Sequence, residues 1–220
     1  GIGANVLSKE SLIEAKKKAN DFFGEADILL NGAGGNSPGG TTTKEYYEPG
    51  DEEKEGLVTF FNLDPDKIGF VFNLNFLGTL LPTQVFAPDL IGKKESSVIN
   101  ISSMNAFCPL TKIPAYSGAK AAVSNFTKWL AVHFSKVGLR VNAIAPGFFL
   151  TGQNKALLLN EDGSLTERSK KIINATPMGR FGTPDELLGT LLYLLSYDAS
   201  SFVNGVVIPV DGGFSAYSGV

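Results

Sequence analysis

The chain has 220 residues, of which 43% are hydrophobic and 19% charged, and its formal net charge is −3. That is the composition of one well-buried globular domain and sets aside a disordered chain. No dense Lys/Arg cluster is present, which argues against nucleic acid as a partner.

Cys108 is the only cysteine, so no internal disulfide forms and a reducing compartment is expected, with the cytoplasm as the default. No apolar run reads as long enough for a membrane span, the N-terminus has no signal-peptide pattern, and no membrane partner is expected. Residue one is glycine, and the only methionines are Met104 and Met178.

Taken in order, Gly1 to Val6 is short, apolar and glycine-flanked, which predicts a strand. Ser8 then caps a helix in which Leu12, Ala15, Ala19 and Phe22 recur at helical spacing, ended by Gly24. Asp27 to Leu30 predicts the next strand, running into Asn31-Gly-Ala-Gly-Gly35. Strand, helix, strand is the unit of a parallel sheet. Residues 36–63 read as a polar insertion, of the kind that is a functional loop or disordered.

Asp64-Pro65 opens a helix with a cap and a proline in its first turn, running through Asn75-Phe-Leu-Gly78 toward Pro82. Val98-Ile-Asn-Ile101 predicts a buried parallel strand, and a helix carrying Tyr116 and Lys120 follows, ending near Gly138. Leu139 to Ala145 predicts another strand, stopped by Pro146-Gly147. Residues 148–182 form a second long excursion. Thr183-Pro-Asp-Glu186 is a capping box, and a leucine-rich helix leads to the last strand, Gly205 to Val210. The sum is a single α/β domain over residues 1–220, a doubly wound parallel sheet of five strands with its two long loops on one edge.

Tyr116 and Lys120 are one helical turn apart and share a face. An ammonium beside a phenol favours the phenolate, which predicts a Tyr116 pKa below its usual value of about 10. Ser103 stands at the carboxyl end of the Val98 strand, where open α/β sheets bind ligands. Phenol, ammonium and hydroxyl together could hold and protonate a carbonyl oxygen. Tyr-x-x-x-Lys alone is a weak signal, because an ordinary helix with a buried Tyr and a solvated Lys fits it as well. His133, the only histidine, has no carboxylate or second ligand at metal spacing, and no metal site is visible.

Ser103 with the Tyr116-x-x-x-Lys120 pair resembles the catalytic set of the short-chain dehydrogenase/reductases. Further motifs fall in that family's order. Asn31-Gly-Ala-Gly34 is similar to its Asn-Asn-Ala-Gly, with Gly32 in place of the second Asn. Asn75-x-x-Gly78, Arg140-Val-Asn-Ala-Ile-Ala-Pro146, Pro146-Gly147-x-x-x-Thr151 and Val210-Asp-Gly-Gly213 match as well. The stretch Asn160 to Arg168 and the C-terminal Phe214 to Val220 resemble the subgroup of D-mannonate oxidoreductases (fructuronate reductases).

The resemblance implies a Rossmann-type fold and an enzyme that uses NAD or NADP to move a hydride to or from a carbonyl/alcohol carbon of a small molecule, for the subgroup a sugar acid. It implies Tyr116 as acid or base, Lys120 depressing its pKa and binding the cofactor ribose, Ser103 on the reacting oxygen, and Asn75 holding a relay water. Asn5, Val6, Asn31, Gly32, Ala33, Gly34, Pro146, Gly147 and Thr151 would complete the cofactor site. It also implies a homodimer or homotetramer paired through the helices at 64–91 and 113–137. The family's Thr-Gly-x-x-x-Gly-x-Gly loop is not among these residues. Gly1 to Val6 aligns with its third strand, so a segment carrying two strands and that loop is expected before Gly1. The other reading is a truncated, non-catalytic member acting as a binding or assembly subunit.

Overall fold

The computed structural model describes residues 1–152 and 154–219. Helix α1 (Lys9–Phe23) starts on Ser8, whose hydroxyl accepts from Ser11 N–H, and stops at Gly24 in a positive-φ conformation. Strand β1 (Ile28–Asn31) follows. Helix α2 (Pro65–Phe72), a π-helical turn (Asn73–Leu77) and helix α3 (Gly78–Leu90) then form one continuous rod. Strand β2 (Ser97–Ile101), helix α4 (Pro114–His133) and strand β3 (Arg140–Pro146) come next. Short helix α5 (Lys155–Leu158) and helix α6 (Glu167–Asn174) lie in the second excursion. Helix α7 (Leu188–Leu195), helix α8 (Tyr197–Ser200) and strand β4 (Val207–Val210) complete the order.

The strands make one four-stranded sheet in the order β1-β2-β3-β4, parallel throughout. Alternation along β2 and β3 splits the core into two layers. Val98 and Val141 pack with Ala87 and Leu90 of α3 and Leu130 and Ala131 of α4 on one face. Ile99 and Ile144 meet Leu194 and the leucines of α7 on the other. Helices therefore cover both faces, as in a doubly wound α/β fold.

Two expectations need correction, and an alternative left open at residues 36–63 is decided. Gly1 to Val6 is not a strand, so the described residues hold four strands and not five. A strand exists only through a ladder, and no described strand pairs with it or with the outer edge of β1, where Ile28 and Leu30 are about half exposed. Asn5 instead makes a side-chain turn, accepting from Leu7 N–H at 2.9 Å, while its own N–H donates to Ser11 Oγ. The insertion is ordered, with 3₁₀ turns at Pro38–Gly40, Asp51–Glu53 and Phe60–Asn62. Its centre is Asp51, 1% exposed, whose carboxylate takes Lys44, Lys54 and the N–H of Glu48. Those donors hold it well below the usual carboxylate range. Finally, the rod Pro65–Leu90 is long and apolar enough, by length and composition, to cross a membrane. Nearly half of its most apolar window is buried against the chain, as suits a core helix.

Polar groups cross the middle of this core. Asn31 Nδ2 donates to Thr83 Oγ1 on α3 and to Asn100 Oδ1 on β2, and Asn100 Nδ2 donates to Thr127 Oγ1 on α4. Replacing Asn100 strands its partners in a dry interior, where an unsatisfied group costs about 1–3 kcal/mol. Asn100→Ala is expected to lower the unfolding free energy by about that much or more in urea titration. A midpoint equal to wild type would show that the network contributes nothing.

Candidate active site

The carboxyl ends of β1, β2 and β3 bring the expected residues together. At the end of β1 the chain passes through Gly32, Ala33, Gly34 and Gly35. A Cβ on Gly34 would stand 2.6 Å from Asn75 Oδ1 and 3.1 Å from Lys120 Nζ, so no larger residue fits without displacing both. A Cβ on Gly32 would meet nothing within 4 Å, which leaves backbone open to a ligand.

Asn75 is fully buried inside the π-turn. Its Nδ2 donates to Gly35 O at 2.7 Å and to Val71 O at 2.8 Å, and its Oδ1 accepts from Gly35 N–H at 3.2 Å. The side chain thus pairs with Gly35 as a neighbouring strand would. Such π-turns are frequent at functional positions.

Ser103 leaves β2 in an extended conformation, and its Oγ accepts from Asn105 N–H at 3.2 Å. The preceding Ser102 fixes α4 instead, donating to Lys120 O and pairing with Ser124 Oγ at 2.6 Å. These contacts hold Tyr116 and Lys120 over the strand end. Burial raises the Tyr116 phenol above its usual pKa, with hydrogen bonding to Ser103 working in the opposite direction.

The expectation that Lys120 lowers the Tyr116 pKa is not met in this arrangement. Lys120 Nζ donates to Ile101 O at 2.8 Å and sits 5.6 Å from the centre of the Tyr116 ring, over its face. The i, i+4 spacing set the shared face, but a backbone carbonyl of β2 captures the ammonium. Burial without a carboxylate brings the Lys120 pKa down to about 8.

The other expected residues sit around this centre. Gly147 N–H donates to Val210 O at 2.9 Å, and a Cβ on Gly147 would lie 2.6 Å from Asp211 Cα, so the exits of β3 and β4 touch. Pro146 ends β3, paired with Val210. Thr151 starts the second excursion, with its N–H bonded to Asn154 Oδ1 at 2.9 Å and its carbonyl to Lys155 N–H. The side-chain Nδ2 of Asn31 is spent on the buried network. Asn5 uses its side chain to shape the entry to α1, and Val6 packs beside Gly78, where a Cβ would stand 3.2 Å away. Asn105 was not picked out beforehand. Its contact with Ser103 Oγ is made by the backbone N–H, which residue type does not signal. Among the described residues no group of three or more His, Cys, Asp or Glu could hold a metal.

An open glycine edge, a buried lysine and a phenol-hydroxyl pair at strand ends suit a nucleotide-type cofactor and a substrate oxygen. Residues 2–215 match the family described as enoyl-(acyl carrier protein) reductase. The chain is 62% identical over 216 residues to an uncharacterized oxidoreductase of Haemophilus influenzae, spanning 98% of this chain and 75% of that one. It is 34% identical over 214 residues to a 2-dehydro-3-deoxy-D-gluconate 5-dehydrogenase of Dickeya dadantii, spanning 97% and 74%. A crystal structure of a candidate D-mannonate oxidoreductase from Haemophilus, with bound NAD, superposes with a TM-score of 0.93 at 61% identity, covering 99% of this chain and 77% of that one.

Lys120 generates a pH prediction. Its folded pKa of about 8 lies below the ordinary 10.5, so between these values the unfolded chain binds more protons. Stability is therefore penalised below pH 8 and recovers as pH rises toward 10.5. Lys120→Met is expected to remove that rise in urea titrations across the window. If both proteins show the same pH slope, Lys120 is charged in the fold.

Proposed function

The chain belongs to the short-chain dehydrogenase/reductase family and is an NAD(P)-dependent oxidoreductase, and from that premise we propose that its substrate is a sugar acid, with D-mannonate and fructuronate as the pair. The observation that carries the enzymatic part of the reading is the assembly at the strand ends of Asn75 and Lys120 beside Gly34 with the Ser103–Tyr116 hydroxyl pair. The same assembly stands against a non-catalytic binding or assembly role. The relatives described as acting on D-mannonate and on a deoxygluconate derivative support the acid as the substrate class.

NAD or NADP, when bound, supplies the two-electron chemistry at the reacting carbon. The backbone of Gly32, Ala33 and Gly34, with Lys120, Pro146, Gly147 and Thr151, would hold it. The residues of the chain do the rest. Ser103 donates a hydrogen bond to the reacting oxygen and fixes it in place. Tyr116 gives its proton to that oxygen in reduction and takes it back in oxidation. Because burial raises its pKa, Tyr116 is protonated at neutral pH in the free chain and ready as an acid. Oxidation needs the phenolate, so its rate is expected to climb with pH. Burial brings the Lys120 pKa down to about 8, so it gives up a proton more easily than an ordinary lysine. Asn75, locked to Gly35, keeps the helix and the glycine exit in register.

We also propose a symmetric dimer or tetramer. Phe126, Trp129 and His133 stack along one face of α4, and Trp129 is 54% and Val132 76% exposed. An apolar face of this kind calls for a partner, and symmetry makes a second copy the simplest one.

Two measurements test this subsection. Tyr116→Phe is expected to cut turnover by about 10²–10⁴-fold, the usual worth of a positioned acid–base group, with an unchanged circular-dichroism spectrum. Near-normal turnover would remove Tyr116 from the chemistry, and turnover confined to uncharged alcohols would remove the sugar acid. Light scattering at micromolar concentration should give a mass of two or four chains, and a monomer would refute the assembly.

A further inference from the structure

A cavity of about 380 Å³ opens against the segment that runs from Ser103 to Tyr116, within the range of small-ligand sites. Its inner wall comes from the segments that leave three parallel strands. These are Lys112, in the stretch between Ser103 and Tyr116, Phe148 after Gly147, and Phe214 after the β4 exit. Its outer wall is one face of α6, where Arg168, Lys171 and Ile172 recur at helical spacing.

The charges on this wall do not cancel. Lys171 Nζ is spent on Glu45 of the insertion, at 3.0 and 3.1 Å, and Glu167 is spent on Lys170 at 2.7 Å. Lys112 and Arg168 remain, and among the described residues neither side chain has an ion-pair or hydrogen-bond partner. Their backbones are nevertheless fixed. Lys112 is the only described non-glycine residue with positive φ, 70°, and its carbonyl is tied to the N–H of Thr42 at 2.9 Å. Left-handed backbone at a non-glycine residue persists only where its surroundings impose it. Arg168 stands in the first turn of α6, before Ser169, which is fully buried and bonded to Leu158 O and whose N–H donates to the helix cap Thr166 at 3.2 Å. Two cations without a partner among the described residues therefore line this cavity, one on the segment that runs from Ser103 to Tyr116 and one on α6.

We propose that Lys112 and Arg168 form a carboxylate subsite, which grips the acid end of the substrate while Ser103 and Tyr116 engage a hydroxyl or carbonyl farther along the carbon chain. This rests on the sugar-acid reading above and adds the residues that select the acid. Arg168 offers a planar fork that matches a carboxylate, and Lys112 adds a point charge from the opposite wall. The reading explains why the two excursions meet here. The insertion holds Lys112 in its strained backbone and neutralises Lys171, which leaves the remaining charges for the ligand.

The test is binding to the full chain saturated with NADH, a state in which an alcohol cannot react. Isothermal titration compares D-mannonate with D-mannitol, the counterpart that lacks the carboxylate. Arg168→Met is expected to weaken D-mannonate binding tenfold or more, Arg168→Lys to restore part of it, and neither to change D-mannitol. Lys112→Met should add a further loss. Arg168 is exposed and bonds nothing in the fold, so its replacement leaves the packing intact. Equal D-mannonate affinity in wild type and the double variant, or no D-mannonate binding to wild type, overturns the subsite. Tighter binding of D-mannitol 1-phosphate than of D-mannonate would assign the pair to phosphate and overturn it too. A separate panel of sugar acids with NAD and NADP judges the catalytic reading. Absence of turnover there refutes the proposed function, while the binding result decides the subsite independently.

Discussion

The active site depends on one side chain acting as backbone. Asn75 exchanges two hydrogen bonds with Gly35 and a third with Val71 O, all from inside a π-turn. The wider turn presents this amide sideways, toward the exit of β1, where no strand neighbour supplies those groups. Without that pairing the run Gly32 to Gly35 would be a free glycine loop of high entropy. With it, the loop edge is as fixed as a strand edge, and Gly34 comes within reach of Lys120. The lysine itself is placed from the other side, by Ile101 O and by Ser102 on its own carbonyl.

Beneath the site the sheet is tied to its helices by polar contacts rather than by apolar packing alone. Asn31, Asn100 and Thr127 link β1, β2 and α4 in one line, and Ser102 continues it to Ser124 and Lys120 O. Each group has a partner only when strands and helices sit in this register, and in a low-dielectric interior a one-residue slip would leave several unpaired. Such a network adds less to stability than to uniqueness. It fixes the height of α4 above β2, which is the dimension that separates Tyr116 from Ser103.

Local chemistry was legible in the sequence and tertiary partnership was not. Tyr116 and Lys120 could be placed on one face because helical spacing is a local property, and Ser103 could be placed at a strand end because an apolar run stops before it. Ser8, Asp64 and the Thr183-Glu186 box capped helices where expected, for the same reason. Gly1 to Val6 misled because strand-like composition is only half of a strand, the other half being a neighbour. The aim of Lys120 could not be read, since the competing acceptor, Ile101 O, is nineteen residues away in sequence. The order of residues 36–63 was hidden for a related reason. Its polar composition resembles that of a disordered loop, and only burial of Asp51 among two lysines and a backbone N–H organises it.

The two long excursions differ from the catalytic centre in how firmly they are held, and this separates selection of substrate from chemistry. The centre is fixed by buried hydrogen bonds, each expensive to leave unmade. The excursions are joined by the Glu45–Lys171 pair, whose lysine side chain is 69% exposed, and exposed pairs contribute about 0–1 kcal/mol. One backbone hydrogen bond, from Thr42 to Lys112, ties the insertion to the segment before α4. Each excursion is held from within, by Asp51 in one and Ser169 in the other, and the link between the two is the weaker contact, separate from the bonds that place Ser103, Tyr116 and Lys120. Substitutions on the cavity wall would change which molecule enters without changing what is done to its oxygen. A family that shares one catalytic set among many alcohols and carbonyls requires that kind of separation, and here it follows from the burial of one set of contacts and the exposure of the other.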